Sequence, residues 1–293
     1  LPRSFILPGQ PTRYGRDHSF LITHLRLEID PDFDRKSISG KTLFKITAAS
    51  SPISKVEFDA VDMDFSSIRV DGKEASFETK PQSVEVSLGK DVSSGDTVHV
   101  ELDYSVTPKR GLYFRGPNEK FPERFTHLFT QGQPEDSKFW FPCYDYPNMR
   151  FTTEIFVRAP ARMTAISNGR LVSVKDEGEK KMWEFSQEIP FSSYLLSVVV
   201  GEFERVALAY QGISVEYYVP VDRRKDVARS FEKTPKMIDY FTSVTGQKYP
   251  YPKYAQVVVS EFMFGGMENI TATTLTETTL HDERGHLDFQ SDN

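Results

Sequence analysis

The residues best suited to chemistry lie near the end of the sequence, where Gly265-Gly266-Met267-Glu268-Asn269 combines backbone freedom with a carboxylate. Upstream, Val257-Val258-Val259 is β-branched, and downstream residues 271–278 are dense in strand formers, so the glycine pair is expected between two strands. Two successive residues without Cβ let another backbone approach. An extended peptide could add there as a further strand through main-chain hydrogen bonds. Glu268 would then sit beside the incoming chain. A free α-amino group, with an ordinary pKa of about 7.7 to 8.0, is largely cationic near neutrality and would be drawn to that carboxylate. On these five residues alone, a hairpin bend carrying a solvated glutamate is the commoner arrangement.

Two further segments narrow the choice. Thr130-Gln131-Gly132-Gln133 is followed by Phe141-Pro142-Cys143-Tyr144-Asp145-Tyr146-Pro147, and Tyr249-Pro250-Tyr251-Pro252-Lys253 leads into the glycine pair. In this order the three segments resemble the T-Q-x-[EQ] … P-C-x-D-x-P, Y-P-x-P-K and G-x-M-E-N motifs of the gluzincin zinc aminopeptidases, the family of aminopeptidase N and leukotriene hydrolase. The motifs span about half the chain, and residues up to about Arg124 match in strand pattern only. The resemblance implies an enzyme that removes N-terminal residues from peptides with a free N-terminus. Within it, Gly265, Gly266 and Met267 correspond to the backbone that holds the first residues of the substrate, Asn269 closes the motif, and Glu268 corresponds to the glutamate that binds the amine. Gln133 falls where the family has Glu or Gln and would offer a carbonyl acceptor without charge. Apart from the resemblance, Gln133 reads as a solvated amide at a strand end.

The hydrolytic half of that chemistry has no counterpart in the sequence. A catalytic zinc needs two histidines one helical turn apart and a third ligand, with a position left for water. His281-Asp282-Glu283-Arg284-Gly285-His286 spaces its histidines by five residues, about 140° apart on a helix, and Gly285 weakens any helix there. It is expected to be a loop. The resemblance puts the true H-E-x-x-H beyond Asn293, so the chain is expected to be the substrate-anchoring part of a metalloaminopeptidase, binding no zinc itself, with zinc in the intact enzyme. The alternative from another class is a non-catalytic scaffold or protein-interaction module of the same architecture. A thiol nucleophile at Cys143 lacks an identifiable orienting group, and a free cysteine is more often a small buried hydrophobe. Asp145 is expected to hold a turn before Pro147.

Composition sets outer limits. Thirty-six basic against forty-two acidic residues give a net charge of −6, which offers no electrostatic footprint for nucleic acid or an anionic membrane. The single cysteine excludes an intramolecular disulfide. No apolar run approaches the ~18 residues of a membrane span, and Leu195-Leu196-Ser197-Val198-Val199-Val200 suits a buried strand. The compartment stays open.

The elements that must position the motif follow from periodicity. Residues 1–19 read as an irregular arm. Leu21, Thr23, Leu25, Leu27 and Ile29 alternate on one face, as do Ile38, Gly40, Thr42, Phe44, Ile46 and Ala48 after a turn at Pro31-Asp32, which predicts antiparallel neighbours. Further strands are expected at 53–59, 63–70, 73–78, 83–88, 97–106, 125–131, 151–158, 163–174, 181–188 and 194–204, with turns at Asp71-Gly72, Ser94-Gly95-Asp96, Asn168-Gly169 and Glu177-Gly178. Val227, Phe231, Ile238 and Phe241 then fall at helical spacing over 222–245, Pro235 predicts a kink or a break into two helices, and Gly246 a stop. The fold class is therefore mainly β: an N-terminal saddle or sandwich of antiparallel sheets over 1–205, then over 206–293 an α+β segment that resembles the opening of a thermolysin-like catalytic domain. Phe241 and Phe262 are expected to be short of covering atoms.

Overall fold

The computed structural model describes residues 15, 16, 18–49 and 52–285, so most of the N-terminal arm and His286 lie outside the described residues. The first strands are β1 (Phe20–Asp32), β2 (Ser37–Ala48), β3 (Ile53–Asp59), β4 (Met63–Val70), β5 (Lys73–Glu74), β6 (Phe77–Lys80), β7 (Ser83–Val92), β8 (Thr97–Val106) and β9 (Leu112–Arg115). They are followed by β10 (His127–Thr130), β11 (Phe151–Pro160), β12 (Thr164–Ser167), β13 (Arg170–Asp176), β14 (Lys180–Phe191), β15 (Val198–Gly201), β16 (Phe203–Tyr210) and β17 (Ile213–Pro220). Helices α1 (Val227–Phe231) and α2 (Thr234–Thr245) precede β18 (Lys253–Val259), β19 (Gly266–Met267) and β20 (Ala272–Thr276).

The strands assemble as an eight-stranded sheet, β13-β14-β11-β1-β2-β8-β4-β5, a three-stranded sheet, β3-β7-β6, a four-stranded sheet, β12-β15-β10-β9, and a five-stranded sheet, β16-β17-β18-β20-β19. Mainly β is thus the observed class, with one departure from an all-antiparallel first part: β1 pairs parallel with β11, from His24 opposite Thr152 to Ile29 opposite Val157. In the last sheet β17, β18 and β20 run parallel, and α1 and α2 form the crossover that a parallel β17–β18 connection requires. Pro235 lies in the first turn of α2, where its missing N–H has no helical partner to lose, and α1 stops before it. Gly246 closes α2 in the left-handed region at φ 68°.

Several expectations are corrected, among them the strand expected at 73–78, which is split between β5 of the eight-stranded sheet and β6 of the three-stranded one. The first strand does not keep Leu21 and Thr23 on the face of Leu25, Leu27 and Ile29. A bulge between Ile22 and His24 inserts one residue, so Phe20 and Ile22 join the buried face while Leu21 is 41% exposed. The stretch 194–204 is not one strand either. A 3-10 turn at Ser193–Leu195 leads to β15, and sheet membership changes at Glu202, with β15 in the four-stranded sheet and β16 opening the five-stranded one.

Around the motif the layers stack as sheet on sheet on helix. Phe129 of β10, Ile166 of β12 and Val199 of β15 pack against Tyr218, Ala255, Val257, Val259, Met267 and Ala272 of the five-stranded sheet. The opposite face of that sheet, with Val215, Val219 and Val258, takes Val227 and Phe231 from α1. This two-sided burial is why Val257-Val258-Val259 is uniformly apolar rather than alternating. Phe262 is buried in the first of these clusters, contrary to expectation, whereas Phe241 on α2 is 61% exposed.

Candidate functional site

The glycine pair enters the structure as the edge of a sheet. β19 pairs antiparallel with β20, Gly266 opposite Leu275 and Met267 opposite Thr274, and Thr276 donates to the Gly265 carbonyl at 3.2 Å. Its other side carries no strand among the described residues. Gly265 has no atom within 4 Å of where a Cβ would sit, so its outward side is open, while a Cβ on Gly266 would press on Leu275 Cδ2 at 3.0 Å. Along β19 and its exit, side chains alternate: Met267 inward and buried, Glu268 outward and exposed, Asn269 inward and buried. That alternation leaves Glu268 beside the open edge.

The T-Q-x-Q segment meets the motif through Gln131, a residue to which the sequence reading gave no role. Gln131 is buried just past β10, and its Nε2 lies 3.5 Å from Met267 Sδ. Gln133, two residues on, is exposed. Gly132 between them sits where a Cβ would strike Ser137 Oγ at 2.7 Å and the Tyr194 carbonyl at 2.8 Å, so a bulkier residue would push the segment out of place.

The turn that follows the motif is fixed by the first part of the chain. Ala272 N–H donates to the Asn269 carbonyl at 3.1 Å, closing a turn over 269–272, and Asn269 Nδ2 reaches Thr274 Oγ1 at 3.2 Å. Thr271 has φ 61°, a left-handed conformation that costs a β-branched residue on the order of 1–3 kcal/mol and persists only where its surroundings hold it. They do. Ala255 N–H donates to the Thr271 carbonyl at 3.0 Å, Gly169 N–H to Thr271 Oγ1 at 2.7 Å, and Asn168 Nδ2 to the Ile270 carbonyl at 2.7 Å. Lys253, which ends the Y-P-x-P-K segment, is fully enclosed and donates its Nζ to the Ser167 carbonyl at 2.6 Å; burial pushes its ammonium down to about 8.

The other approach to the motif is held by His127. It is buried on β10 with Nδ1 3.0 Å from the Phe125 carbonyl, and its Nε2 accepts the Ser260 N–H at 3.2 Å. An imidazole that donates from Nδ1 and accepts at Nε2 is neutral. Burial, with Arg115 and Arg124 nearby, depresses its pKa to about 4. Beyond Ser260, Glu261 takes φ 57° and pairs with Arg115 at 2.8 Å and Arg124 at 3.0 Å.

Cys143 and Asp145 are architectural. Cys143 is fully buried, burial raises its thiol well above the usual range, and its main chain bridges to Asp59, whose N–H donates to the Cys143 carbonyl at 2.7 Å. His127, the nearest histidine in sequence, is engaged elsewhere, with Phe125 and Ser260. Asp145 accepts the Lys138 N–H at 3.1 Å, and burial pushes its carboxyl up to about 7. Among the described residues no group of three or more His, Cys, Asp or Glu is placed to hold a metal ion. His281 lies outside helix, and Asp282 Oδ1 accepts from the N–H groups of Arg284 and Gly285, which makes this stretch a turn as far as Gly285.

With this geometry in hand, comparison with known proteins gives two family matches. Residues 11–195 match the Peptidase M1 N-terminal domain and residues 229–291 the Peptidase family M1 domain. Among curated relatives, leukotriene A-4 hydrolase of Xenopus laevis is 27% identical over 288 residues, covering 94% of this chain and 46% of that protein. Probable aminopeptidase 1 of Sulfurisphaera tokodaii is 28% identical over 261 residues, covering 87% and 31%. Leucine aminopeptidase 2 of Aspergillus terreus is 23% identical over 296 residues, covering 96% and 47%. The chain therefore spans half or less of the length of these relatives.

Proposed function

The chain belongs to the peptidase M1 family, and from that premise we propose that it is the substrate-anchoring part of a zinc-dependent aminopeptidase, the intact protein removing N-terminal residues from peptides. The observation that carries this reading is the open edge of β19, with bare glycine backbone at Gly265 and Gly266 and the exposed carboxylate of Glu268 one residue past the strand.

A peptide adding to that edge exchanges main-chain hydrogen bonds with residues 265–267, which fixes its direction and depth irrespective of its side chains. Its terminal ammonium then meets Glu268, and the charge-assisted hydrogen bond formed there discriminates against blocked N-termini. Gln133 serves as a second, neutral acceptor. Met267 and Asn269, turned inward, keep the strand from shifting when the peptide docks. Zinc, here assigned to the intact protein, would supply an activated water there.

The test is hydrolysis by the intact protein. Aminoacyl-naphthylamides should be cleaved, a chelator should abolish cleavage, and zinc should restore it. A folded, zinc-supplied intact protein that releases no product from any aminoacyl reporter would overturn the enzymatic reading in favour of a non-catalytic scaffold.

A further inference from the structure

The corner formed by Ser167, Asn168 and Gly169, between β12 and β13, belongs to the first part of the chain, far in sequence from the motif, yet it grips both strands that flank it. Lys253, the first residue of β18, donates to the Ser167 carbonyl. Gly169 N–H donates to Thr271, immediately before β20. Asn168 stands between them, fully buried: Nδ2 donates to the Leu195 carbonyl at 2.9 Å and to the Ile270 carbonyl at 2.7 Å, and Oδ1 accepts the Ser197 N–H at 2.7 Å.

We propose that Asn168 is a positioning residue for amine recognition, clamping the 269–272 turn through the Ile270 carbonyl and so fixing where Glu268 presents its carboxylate. This rests on the assignment of Glu268 to the amine. The carboxamide admits only one orientation, because reversing it would set an oxygen against two carbonyls and an NH2 against an N–H. Gly169 is confined as tightly: its φ is 77°, and a Cβ there would lie 2.0 Å from the Ser186 carbonyl oxygen. The clamped turn contains a threonine in a conformation that favours glycine, so the turn is held by the corner and not by its own preference. Glu268 is two residues from the gripped carbonyl, whereas nothing in its own environment buries it.

Asn168→Asp tests this with little change of volume, since it keeps the acceptor for Ser197 and turns the donor into an oxygen facing two carbonyls. The readout in the intact zinc-loaded protein is kcat/KM for a free-amine peptide divided by that for its N-acetylated form, measured alongside Glu268→Gln. A misplaced carboxylate should lower this preference on the order of 10- to 100-fold, mainly through the free-amine substrate. Thr271→Val, which deletes the acceptor for Gly169 and keeps the shape, should move the ratio in the same direction, and Thr271→Ser, which retains the hydroxyl, should restore it. These two decide the matter should Asn168→Asp fail to fold. If Glu268→Gln collapses the preference while folded Asn168 and Thr271 variants keep the wild-type ratio, the clamp is wrong and the assignment of Glu268 stands. If Glu268→Gln itself leaves the ratio unchanged, the assignment falls and the clamp with it.

Discussion

At the scale of single residues, the motif divides its labour by alternation along one short strand. Met267 is the anchor. It is buried in the same apolar cluster as Phe129 and Phe262, in the layer where the four-stranded sheet meets the five-stranded one, with Gln131 against its sulfur. Met267→Ala should therefore lower unfolding stability by about 2–5 kcal/mol, as truncation of a buried long apolar side chain does, and urea unfolding at neutral pH measures it. The short strand at the glycine pair was legible because the glycines and the flanking β-branched runs are visible in the sequence. Gln131 was not, although it stands in the same segment as Gln133: period two says which residues alternate, but not which of two glutamines faces inward. Asn168 was read only as half of an Asn-Gly turn. Its hydrogen bond to Ile270 links positions about a hundred apart, and nothing local announces it.

At the scale of elements, the approach to the motif is pinned by a neutral imidazole, which gives the structure a pH dependence of known sign. The native pKa of His127 is about 4 against an ordinary value of about 6.5. Between those limits the unfolded chain binds a proton that the native state refuses, so stability present above pH 6.5 is lost as pH falls toward 4, by about 3 kcal/mol in full. Asp145, raised to about 7, works the other way, since its native form keeps a proton that the unfolded chain releases. The two are separated by comparing wild type with His127→Gln: wild type should be the more stable at pH 7, and the gap should narrow by about 2 kcal/mol at pH 5. A gap that stays constant from pH 7 to 5 would mean that the imidazole titrates normally. Element boundaries were largely legible where periodicity and turn residues agreed. Strands β3, β4 and β8 fall at 53–59, 63–70 and 97–106, and the helical segment breaks into α1 and α2 just before Pro235. The failures have a local cause. One inserted residue between Ile22 and His24 reverses which face is buried, and a bulge leaves no signature in an apolar pattern. The change of sheet at Glu202 was invisible for a similar reason, because β15 and β16 both read as strand.

At the scale of the whole molecule, one sheet edge is held by two pieces of architecture. The four-stranded sheet supports Met267, and the Ser167–Asn168–Gly169 corner holds the turn after it, while the β17-to-β18 crossover carries α1 and α2. The outer face of α2 displays Met237, Tyr240, Phe241 and Val244, each more than half exposed. The order of the sheets could not be read from the sequence, since pairing partners such as β1 and β11 are set by contacts far apart along the chain. What was legible was the class, mainly β with a late helical segment. On the proposed reading this assembly presents Glu268 to the amine of a peptide, and the most direct measurement compares Glu268→Gln with Gln133→Ala in the intact zinc-loaded protein. The quantity is kcat/KM for a free-amine peptide against its N-acetylated form, since acetylation removes the positive charge. A hydrogen bond to a charged group is worth about 1.5–3 kcal/mol and a neutral one about 0.5–1.5 kcal/mol. Glu268→Gln should thus reduce the preference for the free amine by roughly 10- to 100-fold, and Gln133→Ala by no more than about tenfold. An undiminished preference in folded, zinc-loaded Glu268→Gln would contradict the account and return Glu268 to a solvated side chain on a strand bend.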